Sequence, residues 1–440
     1  MKNILVLSFV LGLSAMMAVS CLDSEKINVD PNNPQEVPSY MLMSGAEKWI
    51  VAYSDVAKLE SDNLYYCRYD DQKTLYADLI DELKEAVGMI DENEVAFAGG
   101  DVIYHGDASK WKKFGNSLIC RFAVHMSKVD AGWRALIADA VSGGVFESND
   151  DAACYKYVNS GTDYCKFYED YFVEGRNDYT IAKPLCDILK GQRDTLNNKN
   201  HPWEGTIDPR LTMYTTPSVG GDNEYNGFPY GVATSDLSGI RNRTATPSWY
   251  SNPPGFLAAD FAVPIMTYAE LEFILSEYNG FSDDEFKKGI RASIEYWADK
   301  TGTSVSGDDI DDYIAAVGSA DAEKVALQKY IDLYLNGTEA WTELRRTGYP
   351  EQLVRPGEKS FRFILDASDP SKGYRDITFE PLSEVKGDII ARIKYPTNES
   401  TLNGANWSEA VSRLTDGTNN LYSKMFWDVR TNSYDHPANK

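Results

Sequence analysis

Apolar residues recur every three or four positions in two separate blocks of this 440-residue chain, and between the blocks that rhythm stops. Such spacing puts one apolar stripe on each helix and obliges helices to pack against one another. The first block begins near Ser39 and runs to about Glu60, with Leu42, Ala46, Ile50 and Tyr53 on a stripe. It continues in DQKTLYADLIDELKEAVGMI, where Leu75, Leu79, Leu83, Ala86 and Ile90 share a face, and in DASKWKKFGNSLICRFAVHMSKV. There Asp107 or Ser109 serves as cap, and Trp111, Phe114, Leu118, Phe122 and His125 lie together. The second block starts at MTYAELEFILSEYNG and goes on through SDDEFKKGIRASIEYWADK, with Ser282 as cap and acids in the first turn. SADAEKVALQKYIDLYLNG and TEAWTELRRTGYP then form a tight helix pair joined at Asn336-Gly337, with Arg345 and Arg346 satisfying the end of the second helix. Between the blocks, from about Gly143 to Pro264, only AKPLCDILKG has helical rhythm, amid residues rich in Gly, Asn, Asp, Pro, Tyr and Trp. A loop region this long inside a folded chain usually carries function. The expected class is mainly α, built of tetratricopeptide-like helix pairs with a long loop-rich insertion, although no 34-residue period is visible.

The first residues set the compartment. Lys2 is followed by an apolar run from Ile4 to Val19 and the small residues Ala18-Val19-Ser20, then Cys21. That run is shorter than the ~20 residues of a spanning helix and reads as a secretory signal. A cysteine directly after such a cleavage site is the lipidation position of a bacterial lipoprotein. Residues 1–20 are therefore expected to be a signal peptide, 21–38 a lipidated tether and 39–440 the folded domain. Several acyl chains on Cys21 would hold the protein on a bilayer, and the acidic LDSE that follows resembles a surface-export pattern.

Net charge is −24, and loss of Lys2 with the signal takes it to −25. So acidic a surface repels nucleic acid and anionic lipid alike. The five cysteines beyond Cys21 form no C-x-x-C, which argues against a zinc or redox site; buried thiols are expected, with Cys154–Cys165 the nearest possible disulfide pair. Four histidines, and no H-E-x-x-H, G-x-S-x-G or phosphate-binding loop, leave no specific catalytic constellation, and no metal or cofactor is expected. His125 reads as a core residue. GDDIDDY at 307–313 lacks the glycine of a calcium loop and reads as a solvated acidic turn.

The binding candidates are rings held on turn-rich segments of the middle region: Trp203 in HPWEG; Tyr225, Phe228 and Tyr230 in DNEYNGFPYG; Trp249 and Tyr250 in TPSWYSNPPG. A ring supplies a flat apolar face and a phenol or indole a polar tip, which suits sugars and peptides. Each ring could instead pin its loop to the helices.

Taken in order, the lipoprotein start with INVDPNNP, then KWKKFGNSLICRFAVHMSKVD, GRNDYTIAKPLCDILKG leading to DPRLTMYTTP, EYNGFPYG, YAELEFILSEYNGF, QKYIDLYLNGTEAWTELRRTGYP, RIKYPTNES with NGANW, and MFWDVR resemble the SusD/RagB family of Bacteroidetes outer-membrane lipoproteins, in its second SusD-like branch. The resemblance covers most of residues 21–440. It implies a nutrient-binding protein and not an enzyme, one that captures oligosaccharides or peptides and passes them to a SusC-like TonB-dependent barrel. Ligand residues vary across that family, so none is transferred. One departure stands out: VAKLESDNLYYCRYDDQ joins the first helix to the next with almost nothing between, so two or three scaffold helices of the family are missing. Exposed apolar surface is expected near residues 50–75. The alternatives are a structural or interaction lipoprotein, such as a pruned paralogue without a transporter, and, further off, a surface glycosidase or peptidase.

Overall fold

In a computed structural model, residues 66–430 are described except for 94–98, 161–162, 177–178, 220–222, 234–244, 248–254, 366–367, 382 and 386–388. The expected first helix, the signal, Cys21 and the tether lie outside the described residues.

The chain divides into two compact units. The first takes residues up to 156, 264–271 and 392–427; the second takes 157–263, 272–391 and the remainder.

In the first unit, helix α1 (Gln72–Met89) packs on α2 (Ala108–His125), and α2 on α3 (Trp133–Ser142). Both long helices start where their sequences provide a cap. The Asp71 carboxylate accepts from the backbone N–H groups of Lys73 and Thr74, and Asp107 accepts from Lys110. Along α2 the expected face is inside: Trp111, Phe114, Leu118 and His125 are buried. Trp111 donates its indole N–H to Asp101 (2.7 Å), and the Tyr76 hydroxyl lies 3.4 Å from Nδ1 of His125. His125 is thus a core residue with a polar neighbour, as expected. Arg121 forks onto Glu270 (2.7 and 2.6 Å) and donates to the Ile265 carbonyl. This ties α2 to the start of α5 (Tyr268–Tyr278). A short helix, α10 (Gly404–Ser412), and the segment after it complete the unit. Tyr76 packs edge-on against Phe426, and Trp427 lies beside His125.

The second unit contains two successive helix pairs: α6 (Asp283–Thr301) with α7 (Gly307–Val317), then α8 (Ala322–Asp332) with α9 (Gly337–Thr347). The expected mainly α, tetratricopeptide-like pairing is what the chain adopts. Gly302 and Gly348 close α6 and α9 in the left-handed region, where a side chain is disfavoured. Ser282 stands at the start of α6 but makes no capping bond with its side chain; the first-turn acids remain. The acidic GDDIDDY is the opening of α7, with Ser306 and Asp309 forming a reciprocal capping box. Arg345 does bond carbonyls, those of Trp341 and Ala391. Arg346 instead forks onto two carboxylates, Glu277 and Glu343, at 2.7–2.8 Å, so the expectation that it caps the helix end is corrected.

The loop-rich middle is nailed to these pairs by DPRLTMY. Arg210 and Asp208 are completely buried and paired. Arg210 also donates to Ser293 on α6 and Gln328 on α8, and Tyr313 on α7 donates to Asp208. Tyr214 stacks on Tyr334 at 4.1 Å and meets Trp297 edge-on. Strands are short. β2 (Thr215–Ser218) pairs with β3 (Ala245–Pro247), and β5 (Lys359–Ile364) with β6 (Tyr374–Thr378), both antiparallel; β1 is Ala153–Lys156 and β4 Ala262–Met266. None of the five cysteines of the described residues is in a disulfide. Burial pushes the Cys120 and Cys186 thiols up to about 12, which makes them inert at neutral pH.

Candidate functional site

The site is built in the second unit, around helix α4 (Lys183–Leu189). Pro184 opens this helix where no N–H is needed. The segment carrying Tyr225, Phe228 and Tyr230 lies directly against its start. The Phe228 N–H donates to the Ile181 carbonyl (2.8 Å), and Lys183 N–H donates back to the Phe228 carbonyl (2.7 Å). Gly227 permits that approach: a Cβ there would stand 2.5 Å from the Lys183 Cα. Lys190, at the end of α4, donates to the Tyr225 carbonyl (2.7 Å). Asn226 donates to Ser218 on β2. The loop is therefore rigid at its backbone, which is what a ring must have beneath it to be held out for a ligand.

The six expected rings have different surroundings. Tyr225 and Phe228 are half-buried. Tyr230 donates its hydroxyl to the Val354 carbonyl (2.9 Å) and packs edge-on against Phe379; burial raises its pKa well above the usual tyrosine range. Trp203 is 4% exposed, edge-on to His201 (5.0 Å) and near Tyr313, so its ring packs under the loops. His201 itself is fixed as the neutral tautomer. Its Nδ1 accepts from the Trp203 backbone N–H, which leaves Nε2–H to donate to the Ile188 carbonyl, and burial lowers its pKa below 6.5. Trp249 and Tyr250 lie outside the described residues.

Within α4 stands Asp187, whose carboxyl is pushed above the ordinary range by burial although Lys183 is bonded to it. A cleft of about 460 Å³ opens at the α6–α7 turn, lined by Glu295, Asp299 and residues 302–305 among others, with no aromatic ring.

A second set of rings, missed from sequence, lies just upstream. Residues 166–173 form a helical segment whose second part, Glu169–Val173, is a π-turn. Tyr164, just before it, and Tyr168 and Phe172 on it follow one another, with ring centroids 5.1 Å apart at each step and planes tilted by 48° and 34°. Behind them, Tyr171 donates to the Tyr179 carbonyl (2.8 Å), and the Tyr179 ring packs on Phe167 (5.0 Å) and Tyr171. Tyr179 donates to Asp170, whose side chain is 1% exposed and also pairs with Lys166 (2.8 Å). These bonds hold the Asp170 carboxyl below its ordinary range, Lys166 foremost. The four-residue spacing was visible in DYCKFYEDYF, but flanking Gly, Asn and Asp masked a helix barely two turns long.

Such an arrangement offers apolar ring faces on rigid supports, hydroxyl tips and a mixed polar rim. Among its described residues there is no nucleophile–base pair.

A model of the SusD-like family described as starch-binding and associating with the outer membrane matches residues 50–361. The chain belongs to the SusD-like family. As a SusD-like protein it stands among binding proteins and not enzymes. No curated protein matches it. Among solved structures it is similar to a chitin-binding protein (24% identity, TM-score 0.66, 95% of this chain and 85% of that one). It is also similar to a SusD homologue from Parabacteroides distasonis (19%, 0.67, 98% and 87%) and to a chitin-binding SusD homologue from Flavobacterium johnsoniae (22%, 0.62, 90% and 81%). These likenesses show the SusD-like fold. Among the described residues no helix is long and apolar enough to cross a membrane.

Proposed function

We propose that this SusD-like protein is a cell-surface lipoprotein, anchored through Cys21 after removal of residues 1–20, that captures glycan or peptide nutrients and delivers them to a SusC-like TonB-dependent barrel in the outer membrane. The family match over residues 50–361 carries the reading. Glycan is favoured over peptide because the family is described as starch-binding and two similar structures are of chitin-binding proteins. The ligand would meet the rings of the middle region: Tyr225 and Phe228 on the pinned loop, together with Trp249 and Tyr250, while Trp203 and Tyr230 support the loop from within.

Calorimetric titration of the purified chain with malto-oligosaccharides, chitin oligosaccharides and a peptide digest tests capture. Saturable binding to one class is expected, and binding to none overturns it. Delivery is tested with a C-terminal tag, mild detergent and native membranes: a stoichiometric barrel should co-purify. The intact, lipidated protein arriving alone would favour the second reading, a pruned paralogue without a transporter. That reading has its own support, because the similar structures are longer chains, only 81–87% covered here.

A further inference from the structure

We propose that Tyr164, Tyr168 and Phe172 form a stacking platform for a neutral glycan chain, extending the aromatic loop site along the helix before it; the proposal rests on the glycan-capture reading above. Four observations carry it. The rings stand at even 5.1 Å steps, with Tyr164 and Tyr168 half-buried and Phe172 43% exposed, so they offer a row and not a single contact. Successive rings are tilted by 48° and 34°, and a row that turns in this way suits a ligand that is itself a chain of rings. The row is held at one end: Phe172 sits on a π-turn, a form often found at functional sites, and the bonds among Asp170, Tyr171 and Tyr179 tie that turn to the segment after it. It is continuous with the pinned loop, because Tyr179 leads within two residues to Ile181, whose carbonyl holds Phe228. Finally, the side of a helix has no unpaired backbone edge, so a peptide cannot add there as a strand, whereas sugar C–H faces can stack on rings and sugar hydroxyls can reach Glu169, Glu174 and the phenol tips.

Charge selects among glycans. Between residues 163 and 176 stand Asp163, Glu169, Asp170 and Glu174 against Lys166 and Arg176, a local net of −2 in a chain of −24. A uronic or sulfated chain would be repelled.

The test uses the full mature chain, chitohexaose and maltoheptaose as neutral probes, and an oligogalacturonide as the acidic one. The double variant Tyr168→Ala/Phe172→Ala should bind whichever neutral probe the wild type binds about tenfold more weakly or worse. Should that variant melt early, nitration of wild-type Tyr164 and Tyr168, mapped by mass spectrometry, replaces it: saturating glycan should slow both. Equal affinity in a folded variant, or unchanged nitration, overturns the platform and leaves glycan capture standing. Preference for the oligogalacturonide overturns the neutral assignment. No binding of any probe by the wild type overturns the glycan-capture reading, and the platform with it.

Discussion

At the scale of residues, the pair Asp208–Arg210 shows how a loop region becomes a fixed part of a helical protein. Both side chains have no exposure, and together they are answered by partners on three different helices, two for Arg210 and one for Asp208. Removing one member leaves the other charged, buried and unmatched, so Asp208→Ala should cost about 3–5 kcal/mol, read from urea unfolding midpoints. Tyr313→Phe, which deletes one hydroxyl from the same network, should cost about 1–3 kcal/mol. His201 sets a pH signature. Its folded pKa lies below the unfolded value of 6.5, so the unfolded chain takes up the proton first as pH falls. Stability is therefore complete above about 6.5 and declines below it, at no more than about 1.4 kcal/mol per pH unit from this one group. Unfolding midpoints between pH 7.5 and 5.5 should show that decline, and His201→Gln should flatten it. The pair Trp249→Ala/Tyr250→Ala should abolish ligand binding and leave the melting temperature nearly unchanged; a large drop would make these rings core.

At the scale of elements, the aromatic loop depends on one glycine. The Lys183 backbone fills the space a Cβ at Gly227 would need. Gly227→Ala should therefore undo the exchange of bonds between Phe228 and Ile181–Lys183 and loosen residues 223–230, by more than about 1 kcal/mol. Faster amide exchange at Phe228 and Lys183, with α6–α9 protected as before, would locate the damage. The helix pairs should resist, because their apolar stripes are buried independently: Phe286, Ile290 and Trp297 on α6, Ile310 on α7, Leu327 and Ile331 on α8.

For the whole molecule, the expectation of exposed apolar surface near residues 50–75 falls mostly outside the described residues, which begin at 66. Leu83 and Ala86 on α1 and Ile90 just past its end are buried, yet Leu75 and Leu79 at its start are only half-buried and Tyr66 is 55% exposed. A hydrophobic dye should brighten on the native protein, as it would over an apolar face with its cover removed. No enhancement would mean that the face is closed by the chain itself.

Sequence by itself determined the helices, their caps and the class of fold, because helical spacing, Asp71, Asp107, Asn336 and the closing glycines act within one or two turns of chain. It also determined the family, through many short motifs in fixed order. Tertiary structure decided what each ring does. Trp203 and Tyr225 stand on equally turn-rich segments, yet one is packed inside and the other half-open, since burial is set by what lies across the fold and not by neighbours in sequence. The same holds for Arg346, whose carboxylate partner Glu277 is 69 residues away. It holds too for Tyr164, Tyr168 and Phe172, which become a row only where a short helical turn passes into a π-turn and Tyr179 packs on Phe167 and Tyr171.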